Sequence, residues 1–79
     1  MARLDLENLE KITKERTRIQ EKVKATYSEF VENGQKFFQL DTYGRMERKQ
    51  PEKISQTIQL SEDDAKIIIN LLNKTFNFK

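Results

Sequence analysis

Asp41 and Tyr43 stand two residues apart in QKFFQLDTYGR, residues 35–45, with Phe37 and Gln39 at the same spacing before them and Arg45 after. Such spacing places alternate side chains on one face of a strand. Flat rings beside cations and amides suit a single nucleic-acid strand, with bases stacking on Phe37 and Tyr43 at ~1–3 kcal/mol each. Phosphates would fall to Lys24, Arg45, Arg48, Lys49 and Lys53, while Gln39, Asp41 and Gln59 supply hydrogen bonds. The same residues also admit structural roles. Phe30 and Phe37 can form a cross-strand pair contributing ~0.2–1 kcal/mol. Asp41 can be held by Arg45, Arg48 or a hydroxyl of a third strand. Glu15, Glu21, Glu47 and Glu52 lie among the cations and can neutralise much of their field.

Other chemistry is sparsely represented. The chain has no Cys and no His, so the thiolate nucleophile, the disulfide and the commonest general base and metal ligand are missing. Asp63 and Asp64 form a carboxylate pair, yet with Glu62 they follow Ser61 where a helix begins. Capping and the helix dipole account for acids there better than a metal does. A non-enzymatic protein with no cofactor and no metal site is expected.

Seventy-nine residues provide one small domain, spanning 1–79. A chain of this size buries only about 60% of its unfolded surface, and 35% hydrophobic residues make a thin core without a covalent staple. No apolar run approaches the ~18 residues that a membrane helix needs, so a cytoplasmic location is expected. The net charge of +2 is unevenly spread. Lys11, Lys14, Arg16, Arg18, Lys22 and Lys24 form one basic block, and Arg45, Arg48, Lys49 and Lys53 another.

Asn33-Gly34 predicts a two-residue hairpin turn, because both central positions of a type I′ turn need positive φ. The register then pairs Glu32 with Gln35, Phe30 with Phe37, Tyr27 with Leu40 and Lys24 with Tyr43. Val23, Ala25, Tyr27 and Val31 share a face with Phe38, Leu40 and Thr42, the side expected to meet a core. KISQTIQL alternates Ile54, Gln56, Ile58 and Leu60 with Ser55, Thr57 and Gln59, as a third strand does. The intervening GRMERKQP reads as a loop. After Leu60 the apolar period changes to that of a helix, with Ser61 as its cap. Leu6, Leu9 and Ile12 fit one side of a short helix begun at Asp5. The expected fold is therefore α+β: an N-terminal helix and linker (1–16), a three-stranded antiparallel meander (20–60), and a long C-terminal helix (61–78) covering one sheet face. In that topology both basic blocks converge at the open end of the hairpin, beside Phe37 and Tyr43.

The apolar arc of the last helix spans roughly 200°, more than one sheet face can cover. The N-terminal segment or a second copy must shield Ile67, Leu71 and Phe78, and a homodimer interface is expected there. QLDTYGR followed by KISQTIQLSEDDAKIIINLL resembles a family of short bacterial and phage-type proteins that share a Q-[IL]-D-T-Y-G core and an S-Q-x-x-Q strand before a helix. Where that pattern often has serine after Tyr-Gly, this chain has Arg45. The strand-to-helix join TIQLSEDDAKIIINLL more loosely resembles single-strand-binding transcriptional coactivators and Whirly-type proteins, which implies strand binding and helix-mediated dimers. The expected function is sequence-tolerant binding of single-stranded nucleic acid. The alternative is a protein-interaction module, such as a small inhibitor or adaptor of a host protein complex.

Overall fold

A computed structural model describes residues 1–44 and 53–78. Its elements are β1 (Ala2–Arg3), β2 (Ala25–Glu32), β3 (Gln35–Tyr43), β4 (Ile54–Ser61) and α1 (Glu62–Phe76). The hairpin forms as its turn residues require: Asn33 and Gly34 take φ of 52° and 75°, and β2 pairs antiparallel with β3 from Glu32↔Gln35 through Phe30↔Phe37 and Tyr27↔Leu40. The Tyr43 N–H donates to the Lys24 carbonyl at 3.0 Å, closing the register one step beyond β2. β4 continues the antiparallel order against β3, with Gln39↔Gln59 and Asp41↔Thr57 opposed and a bulge between Thr42 and Tyr43.

The sheet departs from the expected meander at its fourth strand. Its order is β1-β4-β3-β2, and β1 runs parallel to β4 through Ala2↔Ile58 and Arg3↔Gln59. The sheet is therefore mixed and four-stranded. The expected N-terminal helix is not formed. Asp5 instead closes a single turn, its carboxylate accepting from the Glu7 N–H at 3.2 Å and from Asn8 Nδ2 at 3.0 Å. Leu6 is drawn away from any helix by its own N–H, which donates to Asp64 Oδ1 at 3.1 Å. A short helix is marginal by itself, and pairing its backbone with the sheet and α1 is the stronger alternative. From residue 10 to residue 24 the chain has neither helix nor strand and every side chain is exposed.

α1 starts where the acids predict. The Ser61 hydroxyl accepts from the Asp64 N–H at 3.3 Å and donates to Asp64 Oδ2 at 3.1 Å, while Glu62, Asp63 and Asp64 fill the positive first turn. Asn77 ends the helix in the left-handed region, its N–H returning to the Asn73 carbonyl at 2.8 Å. α1 approaches β4 and β3 but not β2. All residues from Ile69 onward that are described are exposed, so the helix does not cover a sheet face as expected. Among the described residues no helix is long and apolar enough to cross a membrane. The GRMERKQP loop lies outside the described residues from Arg45 onward.

The core is correspondingly small. Leu6 and Phe37, at 6% and 7% exposure, are the buried hydrophobic residues among those described, and no large side chain is fully enclosed.

Candidate interaction surface

Period two divides the sheet into two chemically different faces. The first carries Phe37, Gln39, Asp41 and Tyr43 of β3 between Thr26, Ser28 and Phe30 of β2 and Thr57 and Gln59 of β4. Of the residues expected to bind, it brings together Lys24, Phe37, Gln39, Asp41, Tyr43 and Gln59. Lys53 is exposed, and Arg45, Arg48 and Lys49 lie outside the described residues.

On this face the polar side chains engage one another. Gln59 Nε2 donates to Gln39 Oε1 at 2.8 Å, and Gln39 Nε2 donates to both carboxylate oxygens of Asp41 at 3.2 and 3.1 Å. Thr57 Oγ1 completes the chain with a 2.6 Å bond to Asp41 Oδ1. Asp41 is therefore buried with its charge held by an amide and a hydroxyl, the arrangement a buried carboxylate requires. The third-strand hydroxyl considered for Asp41 is the one from Thr57.

The rings are engaged as well. Phe30 stacks on Phe37 with centroids 5.3 Å apart and planes 20° apart, and the Arg3 guanidinium sits 5.8 Å from the centre of the Phe37 ring. The Tyr43 hydroxyl lies 3.1 Å from Thr26 Oγ1, and Lys24 Nζ sits over the Tyr43 ring at 5.1 Å. A base stacking on Phe37 would have to displace Arg3 or Phe30. Arg3 escaped sequence reasoning because its approach depends on the parallel pairing of β1.

The opposite face is richer in apolar side chains and largely uncovered, and Glu29 and Lys36 share it. Tyr27 and Val31 of β2 are 70% and 67% exposed, and Phe38 and Leu40 of β3 are also exposed. Tyr27 stacks on Phe38 at 5.7 Å between centroids, within reach of a marginal Lys36–Glu29 ion pair of 4.0 Å. The helix leaves a second apolar surface. Ile69 and Phe76 are 57% and 62% exposed, with Leu72 between them, and Phe76 stacks on Phe78. Of the helix positions expected at an interface, Ile67 is half-buried while Leu71 and Phe78 are exposed. Ile69, Leu72 and Phe76 are more open than Ile67, because α1 rests on β4 and β3 only near its start.

The basic block at 11–24 lies along the exposed arm, where Ile12 and Ile19 also face solvent. No family model matches the chain, and no curated protein or solved structure matches it either.

Proposed function

We propose that this chain is a non-enzymatic protein-interaction module, whose docking surface is the apolar sheet face around Tyr27, Val31, Phe38 and Leu40 together with the open side of α1. The observation that carries this reading is the inverted distribution of apolar side chains. Leu6 and Phe37 are buried, whereas Tyr27, Val31, Ile69, Leu72 and Phe76 are exposed, among the described residues. Scattered exposed hydrophobics are ordinary on a small protein, but adjoining ones on one face mark a place where another surface docks. Tyr27 and Phe38 supply stacked aromatic anchors on this face, and Glu29 and Lys36 lie on it with them, a mixture of ring and rim that such contacts use.

Replacing Tyr27 and Val31 by Lys tests the reading. On a surface with no partner these exposed changes should alter stability by less than about 0.5 kcal/mol. A docking surface predicts instead a loss of association, measured by sedimentation, together with a lower urea midpoint. Unchanged behaviour in both measurements would sink the proposal.

Nucleic-acid binding is the second reading, favoured by the placement of Lys11, Lys14, Arg16, Arg18 and Lys22 along the exposed arm. With Phe37 and Tyr43 engaged inside the protein, phosphate contact would supply most of the affinity. Titration of labelled single-stranded DNA at two salt concentrations should then show affinity falling by a log–log slope of about −0.7 for each phosphate neutralised. Absence of binding at low salt would remove this reading.

A further inference from the structure

We infer that the outer edge of β2 pairs antiparallel with the same edge of a second copy of this chain, about a two-fold axis at Ser28, so that the two sheets become one. The contact is made by backbone at a sheet edge and does not depend on what meets the apolar face. β2 is an edge strand, because β3 is its neighbour on one side and no strand lies on the other among the described residues. Which of its backbone groups face outward follows from the hairpin. Glu32 and Gln35 close the two-residue turn, and the Tyr43 N–H donates to the Lys24 carbonyl at 3.0 Å, so the even-numbered residues exchange hydrogen bonds with β3. The N–H and C=O groups of Ala25, Tyr27, Glu29 and Val31 therefore point away from it. These residues are exposed, and among the described residues none of their backbone groups has a hydrogen-bond partner.

Natural sheets blunt such edges with a proline, a bulge or a very short strand. β2 has none of these: it runs for eight residues without proline and pairs with β3 without a register shift. The other edge strand, β1, is only two residues long. Fit then identifies the partner strand. Outward-facing residues can oppose only outward-facing residues, so the registers of greatest overlap are centred on Glu29 or on Ser28. A Glu29 centre sets two carboxylates against each other, which is destabilising. A Ser28 centre sets Ala25 against Val31 and Tyr27 against Glu29 in the hydrogen-bonded positions, and Thr26 against Phe30 in the alternate ones. It also sets Lys24 against Glu32. That pair has opposite charges and recurs on the other side of the axis, so the strand complements its own copy and the contact closes.

The chain contains no cysteine, so an introduced thiol can report the register. At the axis the two Ser28 residues form a non-hydrogen-bonded pair with Cα atoms about 4.5 Å apart, a separation that a disulfide spans. The two Val31 residues stand about 20 Å apart along the joined strands. Ser28 and Val31 are both exposed, so Ser28→Cys and Val31→Cys are matched variants. Thiols held opposite each other react at an effective concentration near millimolar, so at about 10 μM chain with oxidised glutathione Ser28→Cys should link on the order of a hundredfold faster than Val31→Cys. Sedimentation equilibrium of the unmodified chain at the same concentration should give twice the 9.4 kDa chain mass. Hydrogen exchange needs no variant: the outward amides of Tyr27, Glu29 and Val31 should exchange as slowly as those of Ser28 and Phe30, which bond to β3. A 9.4 kDa monomer, or fast exchange confined to the outward amides, would overturn the inference. A doubled mass with both variants linking at the same rate would overturn it too, by placing the contact away from this edge, and would leave the docking reading standing.

Discussion

Asp41 is a buried carboxylate in the middle of a sheet, on β3. Its spacing from Gln39 and Tyr43 places all three on one face, and its opposition to Thr57 follows from the strand register. What spacing alone cannot show is whether a mid-strand carboxylate awaits a ligand or is already held. Thr57 at 2.6 Å and Gln39 at 3.1 Å hold it, with Gln59 behind Gln39. Asp41→Ala should therefore lower stability by about 1–3 kcal/mol, since it leaves the Thr57 and Gln39 donors unpaired in a buried setting. Thermal or urea unfolding would measure the loss. A change below about 0.5 kcal/mol would mean that the ladder is a surface feature with no structural weight.

At the scale of elements, α1 is bound to the N-terminal segment by one side chain. Asp64 serves as the N3 acid of the cap and as acceptor for the Leu6 N–H, 58 residues away in sequence. Asp64→Ala should cost about 1–3 kcal/mol, more than the roughly 1 kcal/mol of an ordinary cap, because the buried Leu6 amide also loses its partner. Comparing it with Ser61→Ala separates the contributions: equal losses would show that the Leu6 bond adds nothing. The hairpin, β4 and α1 were legible in the sequence because each carries a local signature, namely a turn needing positive φ, alternation, and a change of period after Leu60. β1 was not. Two residues have no period, and a parallel pairing with β4 depends on contacts across nearly the whole chain. The N-terminal helix that the spacing of Leu6, Leu9 and Ile12 predicts does not form for the same reason: the tertiary bond to Asp64 and the strand pairing of Ala2 and Arg3 prevail over it.

For the whole molecule, the balance of inside and outside decides the account. The sequence showed that the last helix is too apolar for one sheet face, and the structure places the most open part of that arc at Ile69, Phe76 and Phe78. The open sheet face was less legible, because its side chains were expected to lie beneath α1 and their exposure depends on where the helix stops. A domain whose larger apolar side chains lie outside should draw its stability from association, and association makes stability depend on concentration. The most direct measurement is the urea midpoint of the unmodified chain at two protein concentrations a hundredfold apart. The account predicts a higher midpoint at the higher concentration, because folding and docking are linked. An identical midpoint at both concentrations, in a reversible transition of a monomer, would contradict it and show that the chain completes its core unaided.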